Sequence, residues 1–325
     1  MTTGQDDSKE QRGNEIWESP LENYIRLASP YLDKRYLHHT PYGSKGPMLR
    51  NGHTNRILLY NGCFNPPHRG HLAHLMHAYR HCGIDMNIVG AVVLVASDAY
   101  LKMKLGNKDG VVKFSVEQRM DLWNGAVGDW CWVLPEYNWL AIVRELERLF
   151  ERDGFDVEFV RLAGGDKVRT ANVDHGEWGC KTTITTDISR PVDFRIEGTD
   201  SSPPRLKTIN GHGPWRRIEN KYFEKDIAAA AAEANAPTKP EVRYPLREEP
   251  RDVWVCKKGV FTLYFIASRP DERIDPDLSS TKVRKMLATN RLLDLALRPD
   301  LLVSMYYDMT EHERKAHRIA SLSQN

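Results

Sequence analysis

The chain has 325 residues, 41% of them apolar and 28% charged, with a formal net charge of +2. That length suffices for one large core or two ordinary ones, and the near-neutral balance gives no electrostatic reason to expect a nucleic-acid partner. No apolar run reaches the length of a membrane span, so no membrane association is expected.

In chain order, Met1 to Glu15 is polar and acidic, without the apolar core of a secretory signal or the acid-poor composition of a transit peptide, so a cytoplasmic or nuclear location is expected. Residues 1–54 show one short amphipathic helix pattern, Leu21 to Leu32, with a loop at Gly43 to Gly52, and are read as an N-terminal extension. From residue 55 to 325 short β-rich runs alternate with helical stretches. Strands are predicted at Ile57 to Tyr60, Ile88 to Val95, Trp132 to Leu134, Val157 to Leu162, Thr182 to Asp187 and Thr262 to Ala267. Helices are predicted at His71 to His81, Ser115 to Ala126, Leu140 to Arg152, with Arg144, Arg148 and Arg152 on its exposed face, and Thr281 to Thr289. Such alternation predicts an α/β fold with a parallel sheet, its ligands at the carboxyl ends of the strands. The pattern breaks at about 199–252, a proline-bracketed insertion in which Trp215 to Ala236 reads as a helix ending at Pro237. Five cysteines, odd in number and without a CxxC pair, support neither a disulfide framework nor a zinc knot.

Two segments carry chemistry. The first, Asn61-Gly62-Cys63-Phe64-Asn65-Pro66-Pro67-His68-Arg69-Gly70-His71, lies where a strand gives way to a helix. Glycines allow close backbone approach, a helix start offers unpaired N–H groups to an anion, and His68 and His71 add side-chain donors, so the segment suits a polyphosphate. The second, Leu278-Ser279-Ser280-Thr281-Lys282-Val283-Arg284, again opens a helix. Its hydroxyls read as a cap when taken alone. With Arg284 one turn on, they also present the donors that hold terminal phosphates.

Together these resemble the GxFxPxHxGH-type and ISSTxxR-type motifs of the nucleotidylyltransferase superfamily, with Leu278 in place of isoleucine. The resemblance implies a Rossmann-like, doubly wound (HUP-type) sheet, a triphosphate gripped by both motifs and release of pyrophosphate. Asn65-Pro66 is more like the mononucleotide adenylyltransferases than the cytidylyltransferases. Ser97-Asp98-Ala99-Tyr100-Leu101-Lys102 is similar to the Asp-Ala-Tyr-Lys-Lys of eukaryotic nicotinamide/nicotinate mononucleotide adenylyltransferases, and Gly164-Gly165-Asp166 resembles their Gly-Ala-Asp. By that resemblance His71 serves the α/β-phosphates with His68 beside it, Lys102 bridges the phosphates of both substrates, and Arg284 holds the β/γ end. Gly62, Phe64, Gly70, Gly164, Asp166, Ser279, Ser280 and Thr281 complete the ATP site. Asn65, Tyr100, Trp139, Trp178 and Arg119 are the candidates for the mononucleotide, the two tryptophans near positions where the family stacks rings on the pyridine. The expected partners are ATP, with Mg²⁺ carried by the nucleotide, and a pyridine mononucleotide, with a homo-oligomer as the family's common habit.

Other readings stay open. Trp139 and Trp178 read equally as packing residues, Asp166 as a helix cap or a ribose acceptor, and Arg119 as a solvated helix charge. His71, His74, His77 and His81 recur at helical spacing, yet no carboxylate of fitting spacing accompanies them, so no metal site is expected. The rival functions are a cytidylyltransferase-type enzyme with another phosphorylated acceptor and a nucleotide-binding protein without turnover.

Overall fold

The computed structural model describes residues 17–30, 46–82, 86–106, 111–198, 204–218, 251–289, 294–309 and 314–315. The strands are β1 (Glu18–Pro20), β2 (Met48–Arg50), β3 (Thr54–Gly62), β4 (Ile88–Val95), β5 (Cys131–Pro135), β6 (Asp156–Ala163), β7 (Thr182–Thr186), β8 (Arg195–Ile196), β9 (Arg205–Leu206), β10 (Arg216–Arg217), β11 (Val253–Lys258) and β12 (Phe261–Ile266). The α-helices are α1 (Leu21–Ala28), α2 (Arg69–His81), α3 (Asp98–Leu105), α4 (Val116–Trp123), α5 (Trp139–Arg152), α6 (Ser280–Ala288) and α7 (Pro299–Tyr307).

An eight-stranded sheet runs in the order β10-β11-β12-β7-β6-β3-β4-β5. From β12 across to β5 every pairing is parallel, and β10 and β11 close one edge antiparallel. Residues such as Ile57, Leu58, Leu59 and Ala91 to Val95 are buried without alternation, because helices cover both faces. Leu58, Tyr60 and Val93 pack under α2 and α4, while Ile57, Leu59 and Val92 pack under α1 and α5. The doubly wound Rossmann-like fold expected from the sequence is present. After β3 the chain steps to β4 and β5, then α5 carries it back to β6 on the other side of β3. That reversal opens a crevice between the carboxyl ends of β3 and β6.

Several outlying elements join this body. Leu21, Tyr24, Ile25 and Ala28, spaced at helical intervals, bury α1 in the same core as α5. Asn55 ties β2 to the sheet through its side chain, which accepts from Arg50 N and donates to Arg50 O and Asp156 O. The helix predicted to begin at Trp215 is corrected at its start. Arg216 and Arg217 form β10 against Trp254 and Val255, where an unpaired sheet edge offers backbone partners that outweigh local helix propensity. Its remaining part, 219–236, lies outside the described residues. The elements without a forecast are α3, α7 and the strands β1, β2, β8, β9, β10 and β11. Among the described residues no helix is long and apolar enough to cross a membrane.

Candidate active site

The first segment follows β3 directly. Gly62 is required there by Phe64, since a Cβ at Gly62 would lie 2.7 Å from the Phe64 ring. The ring of Phe64, expected at the ATP, turns inward. It is 4% exposed, at φ +45°, wedged against Tyr60, His71 and Trp123. Asn65, expected at the mononucleotide, is likewise buried. Its Nδ2 donates to Val112 O at 2.8 Å and its Oδ1 accepts from Phe114 N at 2.9 Å, so it staples the 111–114 segment to the loop. Gly70 leaves room for the His68 ring, 3.1 Å from where a Cβ would stand.

His68 caps α2 and His71 follows in its first turn, their rings stacked at 3.6 Å. The backbone N–H of His68 donates to Nδ1 of His71 at 3.2 Å, so a neutral His71 keeps its proton on Nε2. Burial drives the His71 imidazole well below its ordinary value, helped by the charges of His68, His74, Arg190 and Lys104. Burial and Arg190 bring His68 down to about 4. Both rings are therefore neutral hydrogen-bonding groups at pH 7. The next histidines of α2 serve structure: His74 pairs with Thr186 Oγ1 at 2.8 Å and Ala163 O at 3.1 Å, and His77 lies buried beside His81. Among the described residues no group of metal-ligating side chains gathers.

The second segment docks onto the first. Ser280 Oγ donates to Pro66 O at 2.8 Å, Arg284 Nη1 donates to Asn65 O, and Arg284 Nη2 donates to Thr281 Oγ1 at 3.1 Å. Ser279 caps α6, accepting from Lys282 N at 3.2 Å, as the bland reading had it. Burial pulls Arg284 down to about 10, which still leaves it cationic at pH 7. Ser280 and Pro66, 214 positions apart in the chain, are thus in direct contact just beyond the carboxyl end of β3.

Other candidates divide. Asp166 is exposed beside Gly164 at the end of β6, where a Cβ on Gly164 would sit 2.8 Å from its Oδ1. Arg119 is corrected from a substrate contact to a strut: it is fully buried and donates to Cys63 O, Phe114 O and Asp98 Oδ1. Tyr100 and Lys102 lie on exposed positions of α3. The lysine whose charge bears on His71 and Cys63 is Lys104, two residues further round the same helix, which the sequence did not single out. Trp139 is corrected to core. It is 0% exposed and meets Phe159 edge-on, because Trp139, Ile142, Leu146 and Leu149 form the buried stripe of α5.

Trp178 packs, partly buried, against the same core cluster. It holds a left-handed φ of +59° between Gly176 and Gly179, half-buried, with no partner for Nε1 among the described residues. The adjoining Glu177 accepts from Asn61 Nδ2 at 2.9 Å and pairs with the buried Arg161. Burial and then the charge of Glu177 raise the Glu136 carboxyl above its ordinary value. Tyr137, next to Glu136, is 61% exposed where Trp139 is fully buried.

The cytidylyltransferase-like family matches residues 59–286, from the strand before the first segment to the helix after the second. No curated protein matches the chain in sequence. Among solved structures it is similar to the Plasmodium falciparum nicotinic acid mononucleotide adenylyltransferase complexed with NaAD, at 13% identity over 79% of this chain and 99% of that one, with a TM-score of 0.36. That score is too low to carry an argument about either fold or substrate. The family match, by contrast, spans more than half of the chain and contains both halves of the cradle, so this chain belongs to the cytidylyltransferase-like nucleotidyltransferases.

Proposed function

We propose that this nucleotidyltransferase moves the adenylyl group of ATP onto nicotinamide or nicotinate mononucleotide. The observation that carries the reading is the direct docking of Ser280 and Arg284 on the Pro66 and Asn65 carbonyls, which makes one anion cradle of the two segments. A mononucleotide phosphate oxygen attacks the α-phosphorus of MgATP, the bond to the β-phosphate bridging oxygen breaks, and pyrophosphate leaves. Two anions must meet, so catalysis is alignment and charge neutralisation, without a covalent enzyme intermediate. His71 Nε2–H and Arg284 face that charge, with Lys104 replacing Lys102 as the nearby lysine. Magnesium enters with the nucleotide, since it prefers phosphate and water ligands. Asp166 accepts from a ribose hydroxyl. Trp178 and Tyr137 bracket the pyridine beside the Glu136–Glu177 wall.

The burial of Trp139 favours one second reading, a cytidylyl transfer to a phosphorylated acceptor without an aromatic ring. Pyrophosphate release from ATP or CTP with each mononucleotide separates the two. Release with ATP and a pyridine mononucleotide is expected, and release with CTP alone overturns the proposal.

A further inference from the structure

Arg190 belongs to neither segment, yet it reaches both. It lies four positions beyond the end of β7, and its Nη2 donates to Leu278 O at 3.1 Å, the carbonyl just before the cap of α6. Its charge also bears on His68 and His71 at the start of α2. Among the described residues this is its single hydrogen bond, although a guanidinium carries five donors. A cation placed beside two neutral histidines and two helix N-termini has no anion of its own among these neighbours.

The backbone at Arg190 is fixed independently. A Cβ on Gly165 would fall 2.9 Å from Arg190 O and 3.0 Å from Val192 Cγ1, so the glycine is what lets this turn close over the end of β6. Asp187, 3% exposed, accepts from Ser268 N at 2.7 Å, from Arg273 Nη2 at 3.0 Å and from Arg195 Nη1, which closes the turn on itself and onto the 268–275 segment. Ile274 N donates to Ile188 O at 2.8 Å across the same seam. Burying ions in this way costs desolvation that a surface turn would avoid, and the return is a fixed geometry.

We infer that Arg190 is a further cation of the polyphosphate cradle, facing the triphosphate across from Arg284, with Asp187 and Gly165 as its positioning residues. The inference rests on the proposal that the site takes a nucleoside triphosphate, but not on the identity of the acceptor. A purely structural Arg190 would only strap the turn to Leu278.

The test uses the full chain with inorganic tripolyphosphate, by calorimetric titration, alongside the Michaelis constants for ATP and the mononucleotide. Arg190→Gln keeps an N–H for Leu278 O and removes the charge. It is expected to fold, to bind tripolyphosphate about 10- to 100-fold more weakly and to raise the Michaelis constant for ATP in parallel, leaving that for the mononucleotide within about twofold. Arg190→Lys is expected to recover part of the loss. Asp187→Asn and Gly165→Ala are expected to shift the same constants in the same direction by less. Tripolyphosphate binding by Arg190→Gln within about twofold of the unmodified chain overturns the inference. Arg190-dependent tripolyphosphate binding without pyrophosphate release from any acceptor sustains the inference and sinks the adenylyl-transfer proposal instead.

Discussion

At His71 the surroundings decide the protonation state, and that state decides what the ring offers a phosphate. With Nδ1 accepting from His68 N and the imidazole held neutral by burial, the free proton sits on Nε2 as a fixed donor. A donor aimed at charge that grows in the transition state contributes mainly to turnover. His71→Ala is expected to lower kcat by about 10²- to 10⁴-fold with an unchanged unfolding midpoint, measured by pyrophosphate release and urea titration. A kcat within about twofold of the unmodified chain removes His71 from the mechanism. Trp178 makes the complementary case, because a ring kept at a left-handed φ between two glycines is held there against its own preference. Trp178→Ala is expected to raise the Michaelis constant for the mononucleotide about 5- to 20-fold and to leave that for ATP nearly unchanged. Equal loss for both substrates would mean that the ring supports the cradle and does not touch the pyridine.

Among elements, the loop between β3 and α2 shows how much was legible beforehand. Its place at a strand-to-helix junction followed from the apolar run at Ile57 to Tyr60 and the glycines after it, and the late helix at Thr281 followed from its capping hydroxyls. What did not follow was the inward turn of Phe64 and Asn65, since a loop pattern names residue types and not the partners that claim them. Trp139 was different. The spacing of Trp139, Ile142, Leu146 and Leu149 is an apolar helical stripe, and that signal outweighs the isolated ring. Lys104 and Arg190 had no local signal at all. Choosing between Lys102 and Lys104 needs the phase of α3, and Arg190 joins the cradle only through the pairing of β6 with β7 and the Asp187 seam. Asn65 offers the element's own test, because among the described residues its amide is the one side chain that hydrogen-bonds Val112 O and Phe114 N. Asn65→Ala leaves both groups without those bonds, at about 1–3 kcal/mol each, and is expected to lower the urea midpoint clearly while Asn65→Asp keeps the acceptor half.

Across the whole molecule, the buried histidines of α2 make stability depend on pH in one direction. His68 and His74 are brought down to about 4 and His77 to about 3, each chiefly by burial. Above the ordinary imidazole value of 6.5 the folded and unfolded chains both hold these rings neutral, and pH has no leverage through them. Below 6.5 the unfolded chain takes up protons that the folded chain refuses, so unfolding gains up to about 1.4 kcal/mol per histidine for each pH unit until the folded values are reached. The stabilising contribution is thus complete above pH 6.5 and lost progressively as pH falls towards 4 and then 3. His74 is where this meets the fold, since it joins α2 to the ends of β6 and β7 through Ala163 O and Thr186 Oγ1. Guanidinium unfolding at pH 7.5, 6.0 and 5.0 is expected to give midpoints that fall steadily below pH 6.5 and are flat above it. Replacing His74 by Gln, which retains a donor and an acceptor without titrating, is expected to flatten the acid limb by about one proton's worth of slope. An unchanged slope in His74→Gln would assign the acid sensitivity to other groups.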